Sequence, residues 1–419
     1  MPETVRVERY ADQGRCVGHL DGRVIFLRFA LPGELVEVSV DQPVRAKARF
    51  LTGEVTRVIE ASPDRVTPAW PLAGPLAQEG GVGGADLVHA GLPAQLAWKR
   101  SLIEQQMQRM GHVDASVEVV RAPGDEEAGG LHWRTRIDLI ADEQGKPSMR
   151  RRESHERVAI DAMPLARIEL NDLATQLGVW RGGFEPGSSI RLALPQHERD
   201  GQDGNYALLV DDKVKAGRRK LEEHVEVQGR DFTYEVDAAG FWQIHRQAPA
   251  LLADAVLRAV QGGLQAQSAQ VIWDLYSGSG LFSLPLATMA GEHGRVLAVE
   301  GSRVAVAQAR YNAQRAGLDS RIEALAGDVA KRITGRIPQG FERPDAVVLD
   351  PPRAGAKAAV CRLIADSGAP LVVYVACDPT SLARDTATLT AAGYQLASIQ
   401  AYDLYPMTHH VETLAVFTR

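Results

Sequence analysis

The chain has 419 residues, 45% of them hydrophobic and 24% charged, and a net charge of −6. Such proportions belong to a folded protein of about two or three domains and exclude disordered, collagen-like and mucin-like chains. Because the balance is acidic overall, a nucleic-acid partner would have to be met by a local positive surface, not a global one. The three cysteines, Cys16, Cys361 and Cys377, have no CxxC or zinc-finger spacing, which argues against a disulfide scaffold or a structural metal. The start, MPETVRVERY, lacks an apolar signal core, and no run of about 18 apolar residues occurs, so a cytoplasmic protein without a membrane partner is expected.

Residues 1–60 alternate apolar and polar positions in short runs, VRVERY, RVIFLRFALPGE, LVEVSVDQP and TGEVTRVIE, broken by a DG turn at Asp21–Gly22 and a PGE turn at Pro32–Glu34. Runs of this period and length predict a small antiparallel β-barrel. Barrels of this size bind nucleic acid through loops and one sheet face, or act only as spacers. The stretch GRCVGHLDGRVIFLRFALPGELVEV resembles the TRAM domain of RNA-modifying enzymes. The resemblance implies phosphate contacts from Arg15, Arg23, Arg28 and the Arg45, Lys47, Arg49 series.

Residues 61–239 predict an α+β central domain, to which the TRAM resemblance adds the expectation of RNA recognition. Gly/Pro-rich connectors at 62–75 and 78–93 lead into PAQLAWKRSLIEQQMQRMG, whose helical spacing predicts a helix near 93–111 that could pack on the catalytic domain. Strand-like pieces follow in HWRTRIDLIAD, SSIRLALPQ and NYALLVD. Two basic clusters, MRRRESHER and KVKAGRRK, read either as solvated faces or as a phosphate track.

From residue 240 to 419 the pattern becomes strand, loop, helix, repeated: VIWDLYSGSG, RVLAVEGS, IEALAGD, DAVVLDPPRAG and PLVVYVACDP each precede a helical stretch. Short apolar runs in this alternation predict an α/β, doubly wound, Rossmann-like domain with a parallel sheet covered on both faces. Ligands of such sheets sit beyond the carboxyl ends of the strands. Gly278 and Gly280 in YSGSG allow a close backbone approach, while Ser283 stands where a dinucleotide fingerprint would place its third glycine. Asp274 and Tyr276 belong to the first strand and loop, Glu300 suits a ribose diol, Asp328 an adenine amine, and Asp350 closes the next strand. Helix N-caps would explain any one of these carboxylates but explain the ordered series poorly. A nucleoside bearing a sulfonium and no phosphate fits the series, so S-adenosylmethionine is the expected cofactor, with Gln243 of GFWQIH as a further contact.

Cys377 follows the apolar run PLVVYVA, where a cysteine is commonly inert core. Its position at the carboxyl edge, before a helix whose N-terminus would favour a thiolate, makes it a candidate nucleophile. DLYSGSGLFSLPLA, LDPPRAG, VYVACDPTSLARD and DLYPMTHHVETLAVF resemble the motifs of the RNA uracil-C5 methyltransferase family. Together with GFWQIH and the TRAM-like start they cover most of the chain. The resemblance implies that Cys377 adds to C6 of a uracil and that Glu412, in the TxHxE segment Thr408–Glu412, removes the C5 proton. His410 is a rival base by its intrinsic pKa. Asp350 and Arg353 would lie between cofactor and base, and Arg353 stands where amine methyltransferases need an aromatic. Arg134 and Arg136, with Arg150 to Arg152, resemble the family's arginine-bearing central segment and are expected to hold a flipped-out uridine.

Two departures from the family pattern stand out. Relatives with an iron-sulfur cluster carry four cysteines where this chain has Trp70, Val82, Ala85 and Ala162, so no cluster is expected and apolar packing takes its place. Asp378 stands where Asn is common and would raise the Cys377 pKa. The expected partner is therefore ribosomal or transfer RNA, ribosomal being favoured. A cytosine-C5 methyltransferase and a non-catalytic RNA-folding protein on the same scaffold are the alternatives.

Overall fold

In the computed structural model the described residues are 3–42, 49–152, 154–197, 203–264, 271–335 and 337–419. The first five strands are β1 (Glu3–Tyr10), β2 (Arg15–Leu20), β3 (Arg23–Arg28), β4 (Leu35–Val40) and β5 (Phe50–Glu60). They close into a barrel in the order β1-β2-β3-β5-β4. One pair departs from the antiparallel expectation: β3 and β5 run parallel, Val24 opposite Phe50 through Arg28 opposite Glu54. A crossing connection between β3 and β5 is what closes so short a sheet without an exposed edge. Arg45 and Lys47 lie outside the described residues.

Next come α1 (Leu92–Gln106), β6 (Glu118–Arg121), β7 (Arg136–Ala141), β8 (Pro147–Arg150), β9 (Arg157–Ala159), α2 (Ile168–Gln176), β10 (Ser189–Ala193), β11 (Ala207–Val210) and β12 (Lys213–Gly217). Strands β7 to β12, without β6, form a six-stranded sheet in the order β12-β11-β10-β7-β8-β9. This sheet shares one apolar core with the barrel, in which Val5, Ile25 and Leu31 meet Trp70, Trp98, Ile137 and Leu192. Tyr10 stacks on Trp98 with ring centroids 4.8 Å apart, and the Trp98 indole donates to the Ala11 carbonyl at 2.9 Å.

A hairpin, β13 (Lys220–Val227) and β14 (Arg230–Asp237), leads to α3 (Ala248–Gly263). The rest alternates: β15 (Val271–Leu275), α4 (Ser283–Met289), β16 (Arg295–Glu300), α5 (Arg303–Arg315), β17 (Ile322–Ala326), α6 (Val329–Thr334) and β18 (Ala346–Leu349). It ends with α7 (Lys357–Asp366), β19 (Leu371–Ala376), α8 (Pro379–Ala391), β20 (Gln395–Asp403) and β21 (Glu412–Thr418). The sheet order is β17-β16-β15-β18-β19-β21-β20-β6. Strands β15 to β19 are mutually parallel and β21 runs against β19, the doubly wound arrangement.

Strict alternation sends neighbouring residues into separate cores: Ile272, Val296 and Val348 into one face, Trp273, Leu297 and Val347 into the other. The edge strand β6 comes from far earlier in the chain and pairs parallel with β20. Helix α1 packs beside α8, placing Ile103 in the second of these cores. Among the described residues no helix is long and apolar enough to cross a membrane.

Candidate active site

Strand order reverses at β15, whose neighbours are β16 on one side and β18 on the other, and the loops beyond these strands part to leave a crevice. A cavity of about 1000 Å³ opens there. Its wall includes Gln243, Tyr276, Gly278, Glu300, Asp328, Asp350, Arg353, Cys377 and Glu412. Nine of the residues singled out from sequence therefore meet in one place.

Each owes its position to a local cause. Tyr276 leaves β15 with φ of +63°, a costly conformation for a large side chain that turns the loop sharply. Gly278 also has positive φ (+54°), and a Cβ there would meet nothing within 4 Å, so the backbone itself forms the wall. Its amide donates to Glu300 Oε2 at 3.1 Å, while Oε1 accepts from the Ser302 amide at 2.7 Å. Asp328 caps α6 by accepting from the Lys331 amide at 3.0 Å and lines the cavity as well, so helix cap and ligand wall are one residue here. Ser277, Ser279 and Gln308 add polar lining that the sequence did not single out; the serines of YSGSG were the available signal.

Two expected cofactor contacts fall outside the wall. Asp274 is fully buried within β15, accepts a hydrogen bond from the Ser283 hydroxyl at 2.5 Å and is not among the residues that line the cavity. Burial, with Glu300 nearby, pushes its carboxyl up to about 7 in spite of Ser283. Gly280 faces α5 instead, where a Cβ would touch Leu284 and Ala309. Its role is close packing between loop and helix.

Cys377 and Glu412 come from adjacent strands. The last pair of the antiparallel β19–β21 ladder there is Ala376 opposite Thr413, so Cys377 and Glu412 stand one step beyond it, across from each other. Cross-strand neighbours have Cβ atoms roughly 4.5–5.5 Å apart, which sets the scale of the site. Glu412 is buried (3% exposed). The Tyr405 hydroxyl donates to its Oε1 at 2.9 Å, and Oε2 has no hydrogen-bond partner among the described residues. Burial pushes Glu412 up to about 7, opposed by Tyr405 and the Arg353 guanidinium. Asp350 is also driven well above the usual carboxylate range, by burial and then by the charges of Glu412 and Asp274. Of the groups around Glu412, the Tyr405 hydroxyl and the Arg353 guanidinium favour its charged form.

The surroundings of Cys377 favour the neutral thiol, against the thiolate expected from a helix end. Burial, the Glu412 and Asp350 charges, and to a lesser degree Asp378 push it up to about 12; Arg353 alone opposes them. Asp378 is itself the N-cap of α8, accepting from the Ser381 amide at 2.7 Å, so its carboxylate occupies the helix end that was expected to stabilise sulfur. His410 is held neutral: burial, His409 and Arg353 depress it to about 3. Its ring accepts from Arg353 at 2.6 Å and so orients that guanidinium.

Cys377, Arg353 and His410 also border a second cavity, of about 530 Å³, whose wall includes Arg15, Arg28 and Phe29 of the barrel end together with Arg152. Sulfur is thus reached from the cofactor side and from the barrel side. The central arginines distribute differently from expectation. Arg136 is buried, paired with Glu223 at 3.4 Å, and lines neither cavity. Arg134 donates to the Arg136 carbonyl, lies over the Trp133 ring and lines neither cavity. Arg151 and Arg152 donate to the carbonyls of Gly80, Ala73, Gly74 and Val82, tying down the segment that carries three of the four cysteine-replacing positions. Trp70, Val82 and Ala85 are buried in a common core; Ala162 is exposed, and the neighbouring Met163 packs inward instead. Among the described residues no group of three His, Cys, Asp or Glu side chains could hold a metal ion.

The sequence model of the tRNA (uracil-5-)-methyltransferase family matches residues 210–419, and that of the TRAM domain residues 3–56. The chain is 59% identical to an uncharacterized RNA methyltransferase of Bifidobacterium longum, covering 100% of this chain and 97% of the relative. It is 30% identical to the 23S rRNA (uracil(1939)-C(5))-methyltransferase of Chromohalobacter salexigens, covering 99% and 88% of the two chains. Its fold is similar to that of the Pyrococcus abyssi tRNA (uracil-54, C5)-methyltransferase in complex with S-adenosyl-L-homocysteine, with a TM-score of 0.68 over 99% of each chain at 21% identity. The chain belongs to the RNA uracil-C5 methyltransferase family, whose methyl donor is S-adenosylmethionine, and it carries a TRAM domain at its N-terminal end.

Proposed function

We propose that the protein methylates C5 of a uridine in ribosomal RNA, with Cys377 as nucleophile and Glu412 as general base. The observation that carries this reading is the facing pair: a cysteine and a carboxylate at the ends of adjacent strands, opening into one cavity, the carboxylate with one bare oxygen.

The wall fits the methyl donor. Glu300 and Asp328 offer acceptors suited to a ribose diol and an adenine amine, Gln243, Tyr276 and Gly278 complete that end, and Asp350 offers a carboxyl to a cation. Bound there, S-adenosylmethionine supplies an electrophilic methyl group. Its positive charge favours the ionised carboxylates that burial alone disfavours.

The chain's own residues do the rest. C5 of uracil is too weak a nucleophile to be methylated directly. Cys377 Sγ gives up its proton to solvent and bonds to C6, and the electron pair displaced from the C5–C6 double bond makes C5 nucleophilic. Once C5 bears its methyl group, Glu412 Oε2 takes the remaining C5 proton; the C5–C6 double bond reforms as the C6–S bond breaks, and sulfur leaves with its electron pair. One proton is released per methyl group transferred. Arg353, held by His410 at the boundary of the two cavities, is placed to meet the uracil or its phosphate.

Ribosomal RNA is favoured because a relative that matches nearly the whole chain at 30% identity is named as a 23S rRNA enzyme. The test is to incubate the protein with labelled S-adenosylmethionine and total RNA from cells lacking the gene, separate ribosomal from transfer RNA, and analyse nucleosides by mass spectrometry. The expected product is 5-methyluridine in the ribosomal fraction. Label confined to transfer RNA would overturn the substrate assignment, and label as 5-methylcytidine would overturn the base.

A further inference from the structure

Tyr405 was not among the residues expected at the site, yet its hydroxyl is the donor that reaches Glu412, at 2.9 Å, and both residues line the cavity. The tyrosine is fixed at both ends. Its ring meets Trp133 edge to face at 6.0 Å and His410 at 6.1 Å. Its carbonyl accepts from the Thr408 hydroxyl at 2.8 Å and from the ammonium of Lys99 at 3.0 Å; Lys99 is buried in an ion pair with Asp403. A tyrosine so held keeps its hydroxyl oxygen in one place, beside Glu412 Oε1.

The consequence falls on the two carboxylate oxygens, which become unlike. Oε1 is occupied and Oε2 is bare. We propose that Tyr405 is a positioning residue for the base: by pinning Oε1 it fixes the carboxylate plane so that Oε2 meets the proton on C5. The inference rests on the assignment of Glu412 as base. Other charged or titratable groups facing Glu412 are Asp350 and Arg353 from the loop after β18, Cys377 from the end of β19, and His410 two residues before it. The Tyr405 O–H works with Arg353 and against Asp350, favouring the ionised carboxylate.

Tyr405→Phe removes this hydroxyl and keeps the ring. Losing a donor makes the charged form of Glu412 less favourable, so the base ionises at higher pH. The experiment uses the full-length protein, S-adenosylmethionine, and total RNA tritiated at C5 of uracil from cells lacking the gene. It follows tritium release to water and the protein–RNA adduct that survives denaturation, between pH 6 and pH 9, for wild type, Tyr405→Phe, Glu412→Gln and Cys377→Ala. For Tyr405→Phe the expected result is adduct formation at the wild-type rate and tritium release slower by about tenfold at pH 7, with the acid limb moved up by about one pH unit.

Tritium release and a pH profile like those of wild type, with Glu412→Gln stalled and Cys377→Ala inert, would overturn the role of Tyr405 and leave the base assignment standing. Loss of adduct formation in Tyr405→Phe, with its melting temperature lowered, would also overturn it, by showing a structural role. Normal release by Glu412→Gln would instead overturn the base assignment on which the inference depends.

Discussion

Glu412 and Cys377 show how one pocket can hold two groups far from their ordinary ionisation. Glu412 stands at about 7 when folded, above its ordinary carboxylate value, so its protonated form is the one the fold prefers. A group raised in this way contributes stability that is present below its unfolded pKa and lost as pH rises through the folded one. Glu412→Gln, which cannot ionise, is therefore expected to melt above wild type at pH 8, by up to about 3 kcal/mol of stability. The gap should close toward pH 4.5, and denaturant melts across that range check it; a gap independent of pH would mean that Glu412 is not the titrating group. For Cys377 the pressure is likewise toward the neutral form. Iodoacetamide labelling of the free protein should be slow at pH 8 and quicken above it, with Cys16 and Cys361 silent because both are fully buried. Asp378→Asn keeps a good N-cap while removing a charge beside the sulfur. It should leave the melting temperature nearly unchanged and speed labelling.

At the scale of elements, the buried Lys99–Asp403 pair joins α1 to the end of β20, with Arg121 of β6 3.6 Å from the same carboxylate. Lys99→Met leaves Asp403 with a single cation at longer range. A loss of roughly 3 kcal/mol is expected, since breaking a buried pair strands a charge in the interior; urea melts measure it. The elements also show what was legible in the sequence. Glu300 and Asp328 could be found because they follow strands, where a parallel sheet puts its ligands. Asp274 could not be separated from them, because one residue of displacement along β15 turns a side chain from crevice to core. Arg136 looks like a substrate arginine until its partner Glu223, 87 positions away, is seen across the fold. Strand β6 and Tyr405 were missed for the same reason: pairing with β20, and a hydroxyl reaching back across the turn into β21, are tertiary facts that no local period records. The depressed thiol pKa expected for Cys377 failed because the carboxylates around it converge only in the folded chain.

For the whole molecule, the barrel is part of the structure that holds the site and not an appended module. Its Val5, Ile25 and Leu31 share a core with Trp70, Trp98 and Ile137, and its Arg15, Arg28 and Phe29 line the smaller cavity together with Cys377. Deleting residues 1–60 would expose that core. The truncated chain is expected to aggregate or to melt well below the full-length protein in calorimetry; a truncated chain with unchanged melting would show the barrel to be independent. Since the chain as a whole is acidic, its hold on RNA must come from such local arginines, and it should weaken steeply as salt rises.

The division of labour between Cys377 and Glu412 has one direct measurement. Glu412→Gln is incubated with S-adenosylmethionine and unmethylated RNA, denatured, and digested with ribonuclease and protease, and the nucleotide-bearing peptide is sequenced by mass spectrometry. The expected species is the peptide containing Cys377 linked to a uridine that already carries the new methyl group. No adduct, an adduct on another residue, or one lacking the methyl group would contradict the assignment of nucleophile and base.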